Sequence, residues 1–200
     1  MNRLAAGVLL VFFSALSLAQ TPPPPARVRG TVEKLENNVM TVKAPGGKRV
    51  EVKLADNYTV VGLSRAKIAD IGAGKYIGTT TLGERNGGLV ALEVHIFTEA
   101  MRGVAEGHYP WDTKPDSKMT NGNVADVKSV GKDRMLTVQY KGGEQKVLVP
   151  PNAKVVVYGP AERGDLKKGA HIFCVAQRAA DGSLSAARVN VGLKGITPPM

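Results

Sequence analysis

Residues 30–54 read GTVEKLENNVMTVKAPGGKRVEVKL, and residues 122–149 read GNVADVKSVGKDRMLTVQYKGGEQKVLV. The second stretch is the first written again with small insertions. Gly30-Thr31-Val32 is answered by Gly122-Asn123-Val124, Met40-Thr41-Val42 by Leu136-Thr137-Val138, Gly46-Gly47 by Gly142-Gly143, and Val50 and Val52 by Val147 and Val149. Further along, Asp70-Ile71-Gly72-Ala73-Gly74 matches Asp165-Leu166-Lys167-Lys168-Gly169, and Val90-Ala91-Leu92-Glu93-Val94 matches Ser185-Ala186-Ala187-Arg188-Val189. Anchors that recur in one order are the mark of a duplicated unit, here covering 27–97 and 121–192.

Inside each unit the pattern is that of short strands. Val50, Val52 and Leu54 alternate with Arg49, Glu51 and Lys53, which puts the apolar set on one face of a strand. By the same alternation Val90, Leu92, Val94 and Ile96 point inward and Ala91, Glu93 and His95 outward. Turn residues separate the strands at Asn37-Asn38, Pro45-Gly46-Gly47, Asn86-Gly87-Gly88, Lys141-Gly142-Gly143 and Asp181-Gly182. One short helix is expected in each half, over 64–70 and 161–165, the second opened by Pro160. Three strands, a short helix and two more strands is the order of the OB-fold. The fold class expected is therefore all-β: two tandem OB-like antiparallel β-barrels, each with one short helix, joined by an irregular Gly/Pro/aromatic segment. The expected core is Val50, Val52, Val90, Leu92, Val94, Val147, Val149, Ile172 and Val189.

The Gly-x-Val start, Gly-Gly hairpin, Asp-(Ile/Leu)-x-x-Gly turn and Ala-x-x-Val end resemble an exported bacterial OB-like β-barrel repeat family of unknown function. The joining stretch, Glu99-Ala100-Met101-Arg102-Gly103 with Glu106-Gly107-His108-Tyr109-Pro110-Trp111-Asp112, is similar to periplasmic proteins of alphaproteobacteria. These motifs are turn and core residues, so the resemblance implies a fold and a compartment and no activity.

The start of the chain supports that compartment. Met1-Asn2-Arg3 is a short basic region, 4–16 is an almost unbroken apolar run too short to span a bilayer, and Ser17-Leu18-Ala19 offers a cleavage site. A secretory signal peptide over 1–19, cleaved after Ala19, places the mature protein in the periplasm. A Pro-rich linker (20–26), first barrel (27–98), joining segment (99–119), second barrel (120–192) and tail (193–200) follow. Nothing later approaches ~18 consecutive apolar residues, so no transmembrane segment is expected in the mature chain. With Cys174 as the only cysteine, no internal disulfide can form.

The net charge of +10, or +9 once Arg3 leaves with the leader, suits anionic partners. The cations come singly or in pairs (Arg27 and Arg29, Lys48-Arg49) with little aromatic interleaving, which favours a glycan, lipid headgroup or envelope protein over nucleic acid. No Gly-x-Ser-x-Gly elbow, phosphate-cradling GxxxxGK[ST] or GxGxxG loop, or His-x-x-x-His pair occurs, so no catalytic residue and no cofactor is expected. Cys174 shares the inward parity of Ile172 and Ala176 and reads as a buried thiol, His95 as a surface or interdomain histidine, and His171 as a residue at a strand edge. The expected function is a non-enzymatic binding or scaffold module, with Arg27, Arg29, Lys48, Arg49, Tyr109 and Trp111 as ligand-binding candidates. The alternative is a soft-metal (copper-type) site made of Met101, His108 and Met119 in the joining segment. Buried Trp and Met more often serve packing, so an aromatic clasp between the barrels competes with that reading.

Overall fold

The computed structural model describes residues 23–200. The expected leader (1–19) lies outside the described residues. The chain runs through β1 (Ala26–Glu36), β2 (Val39–Lys43), β3 (Arg49–Arg65), β4 (Tyr76–Arg85), β5 (Gly88–Ile96), β6 (Gly107–Pro110), β7 (Lys118–Val130), β8 (Asp133–Tyr140), β9 (Gly143–Val149), β10 (Lys154–Pro160), β11 (His171–Arg178) and β12 (Leu184–Gly192). The all-β expectation holds. The short helices do not. Ser64 and Arg65 belong to β3, and each expected helix is one 3-10 turn, Ile68–Asp70 or Arg163–Asp165. In each turn an aspartate folds back onto the backbone three residues earlier, Asp70 accepting from the Lys67 N–H and Asp165 from the Glu162 N–H, and the chain leaves after a single turn.

Strand pairing closes two five-membered rings. In the first, β1 and β2 form a hairpin, β2 pairs with β3, β3 runs parallel to β12, β12 pairs with β11, and β11 returns to β1. In the second, β7, β8 and β9 form a meander, β9 runs parallel to β5, β5 pairs with β4, and β4 returns to β7. The tandem expectation, in which 27–98 and 120–192 each close their own barrel, is corrected here. Each ring takes its first three strands from one repeat and its last two from the other.

The exchange follows from β3. At 17 residues it extends over roughly 55 Å, pairing with β2 over 49–53 and with β12 out to Leu63. Past β2 it keeps β12 on one edge and takes β10 on the other, with Gly62 opposite both Val191 and Gly159, and its end hands the chain to β4 and β5 of the second ring. β10, which also lies parallel to β5, carries the chain back. Val32, Met40, Val42, Val52, Leu54, Ile172, Cys174 and Val189 fill the first ring. Ile77, Val94, Leu136, Val138, Val147 and Val149 fill the second. A third cluster, including Leu63, Tyr76, Phe97, Met119, Tyr158 and Phe173, lies between them. Of the expected core, Val50, Val90 and Leu92 are only half-buried.

The joining segment is less irregular than expected. Its middle forms β6, an edge strand on β7, and Met119 already belongs to β7. The segment touches both rings. β6 pairs with the second, while Trp111 packs against Phe173 of the first, ring centroids 6.2 Å apart, and Asp112 binds Arg29 with both oxygens, at 3.1 and 2.6 Å.

Candidate functional site

Two concave features organise the candidate residues. The first is a groove of about 800 Å³ on the first ring, between the start of β1, the β2–β3 turn, the β11–β12 turn and residues 197–200. Arg27, Arg29, Lys48 and Arg49, separate in sequence, all line it, joined by Lys154 and Arg178, while Glu51 and Asp112 are the carboxylates on its walls. Some of this charge is engaged. Arg29 donates to Asp112 and through Nε to the Met200 carbonyl at 2.8 Å, Arg27 lies 3.9 Å over the Trp111 ring, and Arg49 binds Glu33 at 2.6 Å. Burial pushes the Asp112 carboxyl up, but the hydrogen bond from Arg29 and the charges of Arg29 and Arg27 outweigh it and hold Asp112 below the usual aspartate range.

The second feature is a cavity of about 220 Å³ between the rings. Aromatic and thioether side chains wall it: Phe97, Tyr158, Phe173, Tyr109, Trp111, and Met101 with Met119. Phe97 and Tyr158 stack at 5.0 Å with their rings 9° from parallel. His95 lines it as well, and Glu93 holds His95 from behind; the alternation rule had turned both outward. Glu93 and His95 are 1% and 3% exposed. Alternation does put both on the face opposite Val94 and Ile96, but that face is covered, His95 packing against Phe97 and Tyr158. A bulge, where β5 slips by one residue against β4 between the pairs Thr80/Glu93 and Thr81/Ala91 and leaves Leu92 unpaired, turns Ala91 inward as well. Side-chain parity changes across Leu92, so Ala91, Val94 and Ile96 face the second ring's core while Glu93, His95 and Phe97 face the inter-ring space. Of the two expectations for His95, surface or interdomain, the structure has the second.

The Glu93 carboxylate is held by three donors. Oε1 accepts from the Thr80 backbone N–H at 3.0 Å and from the Thr80 hydroxyl at 2.7 Å, and Oε2 accepts from His95 Nδ1 at 3.1 Å. A carboxylate on Nδ1 fixes that nitrogen as the donor and leaves Nε2 of the neutral ring as an acceptor. Across the sheet, His95 lies opposite Gly78 of β4, and Gly78 opposite Asn121 of β7. Asn121 Nδ2 donates to the Ala105 carbonyl at 3.0 Å and to Tyr109 Oη at 3.2 Å, so the amide orientation is fixed and Oδ1 points the other way, buried and without a partner.

The metal candidates do not converge. Met119 stands opposite Tyr109 and both reach the cavity, whereas His108 stands opposite Thr120 on the other face of the same ribbon. There His108 Nδ1 meets Thr120 Oγ1 at 2.9 Å, its ring stacks toward Tyr140 at 6.2 Å, and burial, with the charge of Lys118, holds its pKa below the usual histidine value. Strand alternation separates the set, so the Met101, His108 and Met119 site is corrected to two cavity thioethers and an unrelated histidine. Among the described residues no cluster of three or more His, Cys, Asp or Glu side chains could hold a metal ion. Cys174 is fully buried, its thiol pushed up to about 12 by that burial, and His171 Nδ1 meets Thr31 Oγ1 at 3.1 Å at the edge of the first ring. Arginine pairs and the clasp aromatics were readable in the sequence; Gly78, Glu93, His95 and Asn121 were not, because their meeting depends on pairing between repeats. No family model, curated protein or solved structure matches the chain.

Proposed function

We propose that this chain is an exported, non-enzymatic binding module built as two strand-exchanged OB-like barrels, and that it holds an anionic envelope component, a glycan or lipid headgroup, in the basic groove of the first ring. The observation that carries the reading is the convergence of Arg27, Arg29, Lys48, Arg49, Lys154 and Arg178 on one groove whose side-chain carboxylates are Glu51 and Asp112, with the main-chain oxygen of Met200 also on Arg29. A concave surface with that imbalance focuses field toward an approaching anion. The OB-like part rests on the ring order: a three-strand meander closed by a fourth strand on the first and a fifth on the third. Oligosaccharide binding through a strand face and its loops is a common use of such barrels. Trp111, stacked under Arg27, provides a floor on which the guanidinium is presented.

The test is retention of purified protein on a sulfated-glycan resin. Retention at low salt that is lost over the range where the Debye length falls below ~10 Å is expected. The double variant Lys48→Glu, Arg178→Glu is expected to elute at markedly lower salt. Retention that ignores both salt and the variant would remove the reading.

A further inference from the structure

We propose that the cavity between the two rings is a binding site for a small, uncharged aromatic molecule bearing one hydroxyl or N–H donor, of the phenol or indole class. It adjoins the basic groove, Met200 lining both, and differs from it in chemistry. The ring-binding part follows from the walls. Phe97, Tyr158, Phe173 and Trp111 give flat apolar faces, and Met101 and Met119 give adaptable ones. An apolar cavity of ~150 Å³ is enough to take benzene, and this one, at about 220 Å³, has space for a ring with a substituent.

The donor requirement follows from the base. His95 Nε2 and Asn121 Oδ1 both lean over Gly78, so close that a β-carbon at that position would overlap both atoms. Gly78 is not in a left-handed conformation, so its role here is space. Asn121 Oδ1 is an acceptor because the Ala105 carbonyl orients the amide. With Nδ1 of His95 donating to Glu93, Nε2 is the acceptor position of the neutral imidazole. Asn121 is 4% exposed and its Oδ1 has no partner within the protein, a buried acceptor that costs about 1–3 kcal/mol when left unpaired. A second buried acceptor without a partner, Asn190 Oδ1, belongs to a residue on the cavity wall. His95 Nε2 and Asn121 Oδ1, brought together over Gly78, call for a ligand that carries a donor to them, and the surrounding rings call for that donor to be carried on an aromatic frame. Trp111 Nε1, buried without a partner, and Arg188 are the donors on the same walls that the ligand's own oxygen or π-face can meet.

Trp111, the only tryptophan of the chain, lines the cavity, so its fluorescence reports occupancy. p-Cresol titrated into the full-length mature protein is expected to change that fluorescence saturably and to give a one-to-one calorimetric isotherm unaffected by salt. Toluene, the same shape without the hydroxyl, is expected to bind at least roughly tenfold more weakly, the size of one hydrogen bond. Gly78→Ala is expected to lose p-cresol binding while retaining a cooperative thermal transition. The p-cresol to toluene comparison on the unaltered protein stands whether or not that variant folds. The proposal is overturned by no saturable response to p-cresol or indole at millimolar concentration, by equal affinity for toluene, or by a folded Gly78→Ala protein that binds p-cresol as the parent does.

Discussion

Gly30 and Gly122 occupy matching places in the two repeats, and a side chain at either would run into the neighbouring strand, at the Lys43 carbonyl and the Gln139 carbonyl. The repeat motif Gly-x-Val thus records a close backbone approach where β1 and β7 bend, each just before a register slip against its partner. Gly159, by contrast, sits in β10 with open space where a side chain would project. Gly122→Ala is accordingly expected to lower stability by about 1–3 kcal/mol, the cost of forcing extra atoms into a packed site. Gly159→Ala is expected to change it by less than ~0.5 kcal/mol. Urea midpoints at constant slope measure both, and equal losses for the two variants would refute the steric account. At this scale the sequence was informative about glycine and silent about Leu92. A bulge leaves no composition signal, yet it turns Ala91 inward, and nothing local shows that the face carrying Glu93 and His95 is covered between the rings.

The joining segment acts as a clasp through Asp112. Its carboxylate receives both Nη atoms of Arg29 and lies 3.5 Å from Arg27 Nη1, tying a loop that leads into the second ring to β1 of the first. Because Asp112 is held below the usual aspartate range, the folded state binds its proton less readily than the unfolded chain does. Its contribution is therefore complete above that range and disappears as pH falls through it and on through the lower folded value. The group is 47% exposed, so solvent screening limits the effect. Asp112→Asn is expected to reduce stability by under ~1 kcal/mol at neutral pH, with the difference from the parent shrinking toward zero near pH 2–3. Denaturant curves at the two pH values decide it; a difference independent of pH would show that the carboxylate charge is not what matters. The clasp itself was readable, since Gly, Pro and aromatic residues cluster there. β6 was not, because four residues ending in proline carry too short a pattern to mark a strand, and an edge position is where such a proline is tolerated.

The exchange of strands is a property of the whole molecule and has no local signature. Alternation along β5 and β12 is the same whether each pairs with the third strand of its own repeat or of the other, so the sequence made the strands visible and left their partners open. What decides the pairing is that β3 continues unbroken through Gly62 toward the second ring, whereas Pro150 and Pro151 divide the matching stretch of the second repeat into β9 and β10. With β3 unbroken, the first repeat cannot fold β4 and β5 back onto its own β1 and β3. A chain divided in the exposed turn at 113–116 yields an N-terminal piece ending at 113, carrying β1 to β6, and 114–200, carrying β7 to β12. Neither piece can close a ring with its strands placed as they are in the intact protein. Each fragment alone is expected to lack a cooperative unfolding transition, and an equimolar mixture to recover one, eluting as a one-to-one complex the size of the intact protein. Light scattering with size exclusion, together with thermal melts, reads the outcome. A fragment that is by itself a monomer with a sharp transition would mean that a repeat can close its own barrel, and that the exchange is one of two accessible arrangements and not a requirement of β3.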